Sequence, residues 1–167
     1  FIIICLLTSM RLIEKKPDYS GTWKLNTANS NFGGLKGAAM QLTIKQYSDK
    51  LIIKRLLSAN GNRDSISIDT FKFNVKKELV ADMFKKHIAY TGWSDDNKKL
   101  TKILFLQHKS TVNSTINGVA STENKVIEEK TMVTWSLSED GKALNIDQEI
   151  NVGDMFHYLV KLVYDKQ

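Results

Sequence analysis

Gly92-Trp93-Ser94-Asp95-Asp96-Asn97-Lys98-Lys99-Leu100-Thr101 and Thr134-Trp135-Ser136-Leu137-Ser138-Glu139-Asp140-Gly141-Lys142-Ala143-Leu144-Asn145 are two versions of one phrase. A shorter cousin, Tyr47-Ser48-Asp49-Lys50-Leu51-Ile52-Ile53, stands earlier in the chain. Each is an aromatic strand end, a polar turn, then a Lys and a Leu that open the next strand. Repeated units of this kind predict a β-meander, in which consecutive strands pair through tight turns.

Working outward, the first strand is Tyr19 to Asn26, with Tyr19, Gly21, Trp23 and Leu25 on one face. Residues 26–38 are rich in Asn, Ser and Gly and read as a long loop. Strands follow at about 39–47 and 51–58, with Asn60-Gly61 as the next turn. Between Asp64 and Asn74, Ile66 and Ile68 share one face and Phe71 and Phe73 the other. A bulge near Asp69-Thr70 would reconcile the two phases. In residues 75–84, Val75, Leu79, Val80, Met83 and Phe84 recur at helical spacing behind Asn74 as a cap, which predicts a short helix or loop.

Further strands are expected at about 86–94, 99–109, 112–117, 125–137, 142–151 and 155–165. In the last, Phe156, Tyr158, Val160, Leu162 and Tyr164 share a face that should be buried. The fold class is all-β: an antiparallel up-and-down meander of about eight to ten strands closing into a barrel, since closure removes free edges.

The domain reading is a segment at 1–17 followed by one barrel domain at 18–167. Phe1-Ile2-Ile3-Ile4-Cys5-Leu6-Leu7 is an apolar run too short to span a bilayer. It reads as the h-region of a signal peptide in a chain that starts inside a longer reading frame. The other reading is a first buried strand. Ile4 before Cys5 and Leu6-Leu7 after it do not fit a lipid-anchor site. The expected location is therefore the periplasm, cell surface or exterior. Without Cys5 the mature chain holds no thiol for disulfides, metal or nucleophilic chemistry.

The net charge of +6 is scattered in Lys pairs at 15–16, 76–77, 85–86 and 98–99. The first reading is a solvated basic surface; the other is peripheral attraction to an anionic envelope. The chain lacks the coherent basic stripe with stacking aromatics that nucleic acid requires.

Tyr19-Ser20-Gly21-Thr22-Trp23-Lys24-Leu25-Asn26, followed by Asn29-Ser30-Asn31-Phe32-Gly33, resembles the opening of exported lipocalin-like (calycin-type) proteins of Bacteroidetes bacteria. The hairpin Trp135-Ser136 to Asp140-Gly141-Lys142 and Leu144 is similar to theirs as well. The resemblance implies a lipocalin-like barrel whose Gly-x-Trp motif is Gly21 and Trp23. It also implies a basic residue of the last strand near that tryptophan, with Lys161 as the positional candidate. Alternation, however, places Lys161 on the face opposite Phe156 and Tyr158. Where the family shows an Asp-Gly-Lys-Glu turn, this chain has Asn74-Val75-Lys76-Lys77-Glu78.

Trp23 is read as a plug of the closed end, with a stacking platform for ligand as the other reading. Trp93 and Trp135 precede turns and stand either at a rim or in cross-strand packing. His87, His108 and His157 are far apart and show no metal-ligand spacing. Asp95-Asp96 and Glu139-Asp140 sit in turns, where carboxylates bond their own backbone. No nucleophile elbow, P-loop or dinucleotide fingerprint occurs. The expectation is a non-enzyme without cofactor or metal that binds a small apolar or amphipathic ligand. Candidate wall residues are Phe71, Phe73, Phe105, Phe156, Tyr158 and Tyr164. A packed barrel that serves as an envelope interaction scaffold is the alternative.

Overall fold

The structure, a computed structural model, describes residues 15–34, 38–57, 64–82, 85–116, 119–153 and 156–167. The 1–14 segment, the Asn60-Gly61 turn, and Met83 and Phe84 lie outside the described residues. Strands β1 (Gly21–Leu25), β2 (Gln41–Gln46), β3 (Lys50–Leu57), β4 (Ser65–Lys72) and β5 (Val75–Asp82) are followed by β6 (Lys85–Trp93), β7 (Leu100–Ile116), β8 (Val119–Leu137), β9 (Ala143–Val152) and β10 (Phe156–Lys166). They form one antiparallel sheet in the order β4-β3-β2-β1-β10-β9-β8-β7-β6-β5. Chain order and sheet order agree with one exception each way. β1 meets β10, with Trp23 opposite Lys166. β4 and β5, though consecutive, share no ladder. The result is a nearly closed lipocalin-like barrel with one seam.

At that seam the turn amides are bonded elsewhere. Phe73 N donates to Asp49 O at 2.8 Å and Asn74 N to Thr91 O at 2.7 Å.

Three expectations are corrected. Residues 75–82 are a strand, paired with β6 from Val75 opposite Thr91 to Asp82 opposite Lys85, with a register shift between Val80 and Asp82. Ladder bonds to β6 outweigh a weak helical period, as tertiary context commonly does in short segments. Second, β4 runs without a bulge, in unbroken register with β3 from Lys50 opposite Lys72 to Leu57 opposite Ser65. Ile66 and Ile68 therefore face outward and are exposed, while Phe71 faces in. Third, residues 100–116 are one strand, in register with β8 from Leu100 opposite Trp135 to Ile116 opposite Val119. Beyond His108 this hairpin has left the β6 ladder, and it projects from the barrel as a two-stranded arm.

An up-and-down meander sorts its connections between two ends. The β2–β3, β4–β5, β6–β7 and β8–β9 turns share one end with the approach to β1 and the close of β10. The two Trp-Ser phrases supply two of these turns, but the match is shifted from the one the words suggest. Ser94 to Leu100 corresponds to Ser138 to Leu144. Ser94 N donates to Lys99 O at 2.9 Å and Ser138 N to Ala143 O at 2.8 Å. Asn97 (φ 56°) and Gly141 (φ 68°) hold the same left-handed position, which Gly and Asn tolerate best. Leu51, Leu100 and Leu144, each opening a strand just after such a turn, are buried at this end.

Aromatic rings seal it. Tyr19 and Trp23 have no exposed surface. Tyr19 stacks on Trp93 at 5.8 Å between centroids and meets Trp135 edge-on at 6.3 Å. Phe73 packs on Trp93 at 5.5 Å and Phe71 on Trp135 at 5.8 Å. Offset and edge-to-face contacts at these distances add to simple burial. Tyr19 precedes β1, so no ladder holds it. Instead the Gln46 side chain clamps the segment: Tyr19 N donates to Gln46 Oε1 and Gln46 Nε2 to Pro17 O, both at 3.0 Å. The Tyr19 hydroxyl donates to Trp135 O at 2.8 Å, and Trp23 Nε1 to Tyr19 O at 2.9 Å.

The 26–34 loop runs alongside β10 past the end of β1. Asn31 and Lys161 exchange backbone bonds at 2.7 and 2.8 Å. Gly33 (φ 55°) lies so close to β10 that a Cβ there would be 2.3 Å from Leu159 O.

Candidate functional site

Above the aromatic floor lies an interior cavity of about 300 Å³. Its position follows from alternation. On β3 the inward series is Leu51, Ile53, Arg55 and Leu57; on β7 it starts Leu100, Lys102; on β9 it is Leu144, Ile146, Gln148. The first inward residue of each belongs to the floor, and the next ones line the space. Apolar wall comes from Leu42, Ile53, Leu57, Val133, Ile146 and Leu162, and aromatic wall from Phe71, Trp135 and Tyr164. Phe32 and Ala39, from the loop beside β10 and its return to β2, also border it.

Polar groups enter this apolar chamber at few points. Arg55 forms an ion pair with Asp69, the inward carboxylate of β4. The Arg55 guanidinium carbon is 5.8 Å from the Phe71 ring centroid, and Lys102 Nζ is 4.2 Å from the same centroid. A cation at such range is drawn to the ring quadrupole. Burial pushes the Lys102 ammonium below its ordinary pKa, and the nearby Arg55 charge pushes it the same way. Burial likewise lowers Arg55. Tyr164, almost fully buried, donates its hydroxyl to Ala39 O at 3.0 Å. Burial lifts its pKa to about 12 against the opposing pull of Arg55. It is therefore a neutral donor at any ordinary pH.

The structure brings only some of the candidate wall residues together. Phe71 and Tyr164 line the cavity. Phe73 is buried, but one step lower, in the floor against Trp93. Phe105 faces outward: β7 turns Leu100 and Lys102 inward, so Phe105 falls on the other side, 5.8 Å from Lys130 Nζ. It borders an open depression of about 580 Å³ on the outer surface, with Ile88, Glu128 and Asn151. Phe156 and Tyr158 do share the face of Tyr164 but not its burial. They stack on each other at 6.1 Å near the opposite end of the barrel and are 53% and 38% exposed. Gly21 (φ 137°) and Trp23 lie at the floor. The basic side chain over Trp23 is Lys166, with Nζ 5.4 Å from the ring centroid. Lys161 points outward beside Asn31.

The cations missed by sequence reasoning left a signal: Arg55 and Lys102 each occupy an inward slot of an otherwise apolar alternation. Asp69 does the same beside Phe71.

The turn carboxylates Asp96 and Asp140 are engaged locally. Asp96 accepts from the Ser94 hydroxyl and from Lys98 N, and Asp140 from Ser138 and Lys142 N in the equivalent turn. The serine hydroxyl first and the backbone amide second hold both carboxyls below the usual range. His157 pairs with Glu149 at 3.3 Å on the surface. Among the described residues no three His, Cys, Asp or Glu side chains converge as a metal site. No family model matches the chain, and a comparison with curated proteins finds no match.

Proposed function

We propose that this chain is an exported, non-enzymatic barrel protein that carries a small apolar or amphipathic ligand in its interior. The observation that supports this most is the 300 Å³ chamber above the aromatic floor, with apolar walls and a few convergent polar groups. That combination is the usual form of a small-molecule site, and barrels of this size enclose one small ligand. Export is supported by the apolar run at 1–7. A non-enzymatic role is supported by Asp96 and Asp140, which are engaged with the serine and backbone amide of their own turns.

Native mass spectrometry of the protein purified without denaturation tests the reading. A stoichiometric adduct that solvent extraction releases as an apolar or amphipathic molecule is the expected result. An unliganded mass, unchanged after soaking with mixed lipids and fatty acids, counts against it.

One observation favours the scaffold alternative. Ile66 and Ile68 stand 57% and 68% exposed on the outer face of β4, beside the seam. Paired apolar side chains at a free sheet edge suit a protein partner. Co-purification of a protein that Ile68→Lys releases would shift the weight to it.

A further inference from the structure

The chamber holds more positive than negative charge. Arg55 has Asp69 as its counter-ion. Lys102 has none among the described residues. The other described inward carboxylate, Glu129, sits two inward positions beyond Val133 on β8, where it takes the Thr131 hydroxyl at 3.4 Å. Lys102 instead rests on the ring of Phe71, within reach of the second cation. Two partly buried cations over one ring repel each other, and the ring attraction offsets only part of the desolvation. Packing alone would favour Leu or Met in that slot.

We propose that the barrel selects an organic acid, its anionic head held between Lys102 and Arg55 at the Phe71 ring and its apolar body against Leu42, Ile53 and Val133. This rests on the carrier reading and narrows it. The acid neutralises the excess charge, and charge-assisted hydrogen bonds to ammonium and guanidinium are stronger than neutral ones. A neutral ligand would leave Lys102 desolvated, and a cationic one would add a third positive charge. The cavity volume limits the body to a short chain or a small ring system rather than a long-chain lipid.

The test compares decanoate, decanol and decylamine by calorimetric titration into the full chain at neutral pH. Their tails match and only the head differs. Decanoate is expected to bind roughly 10- to 100-fold tighter than decanol, the range of one or two charge-assisted hydrogen bonds, and decylamine least. Lys102→Met should bring decanoate to within a few-fold of decanol while decanol binding holds or improves, and Lys102→Arg should restore the preference. Equal binding of decanoate and decanol by the wild-type protein overturns the acid selection and leaves the carrier reading standing. Binding of none of the three overturns both. The wild-type series decides the point even if a variant fails to fold.

Discussion

Removing Tyr19 tests whether the floor of the barrel is built as described. Tyr19 is completely buried, stacks on Trp93, meets Trp135 edge-on, and donates to Trp135 O. Tyr19→Phe keeps the ring and deletes the hydroxyl bond, which is worth about 1 kcal/mol. Tyr19→Ala deletes the ring as well. Large aromatic-to-Ala changes in a core cost about 3–5 kcal/mol, because lost transfer energy and a residual cavity add. This site should sit toward the upper end, since Trp93 and Trp135 are held by β6 and β8 and cannot collapse into the gap. The assay is urea and thermal unfolding of both variants and wild type, followed by tryptophan fluorescence. At about 2–4 °C per kcal/mol for a chain of this size, Tyr19→Phe should lower Tm by a few degrees and Tyr19→Ala by roughly 6–20 °C. Trp93 emission should shift red in the Ala variant before unfolding, because its stacking partner is replaced by water. A Tyr19→Ala variant within about 1 kcal/mol of wild type would show that the ring is not packed, and the closed floor would have to be abandoned.

Lys102→Met should stabilise the unliganded protein, because it removes a partly buried charge without a counter-ion. Lys102 titrates lower in the folded than in the unfolded chain. Its cost is therefore complete below the folded pKa and fades as pH rises through that value toward the ordinary 10.5. The stability gap between the variant and wild type, measured by urea at neutral pH and near pH 10, should shrink at the higher pH; a constant or growing gap contradicts this. Gly33→Ala should cost about 2 kcal/mol, as its Cβ would run into the Leu159 carbonyl at a left-handed φ. Faster amide exchange at Asn31 and Lys161 would locate the damage. Gly141→Ala has open space around it and only the left-handed conformation to contend with, so it should cost about 1 kcal/mol, the lower end of that penalty. Equal losses at Gly33 and Gly141 would mean that the loop is not seated on β10.

Much of the architecture was legible. Alternation in Leu144, Ile146 and Ile150, and the repeated Leu after each polar turn, carry the strand faces on their surface. Local chemistry is enough there, because a pleated strand sends side chains to opposite faces whatever its neighbours are. The failures have particular causes. At Asp64–Asn74 an inward reading of every apolar residue requires a bulge to turn Ile66 and Ile68 around. Asp69 in fact faces inward, opposite Ile53 and paired with Arg55 one inward position along β3, and the two isoleucines are left outside. At 75–82 a helical period of a few residues competed with a run of backbone groups seeking ladder partners on β6, and the ladder won. For Phe105, ring size suggested a wall residue, but face is decided by register with Leu100 and Lys102 and not by size.

The sequence by itself determined that this chain is a meander of alternating strands and where the turns before Leu51, Leu100 and Leu144 fall. Those properties are local: periods, turn residues and the steric demands of left-handed positions act within a few residues. Only the tertiary structure decided that the barrel stays open between β4 and β5, and that Lys166 rather than Lys161 covers Trp23. It alone decided that Arg55, Lys102 and Asp69, distant in the chain, share one chamber with Phe71. Their meeting depends on strand order, register and closure together, and electrostatic coupling between them exists only once the barrel has excluded the water that would screen it.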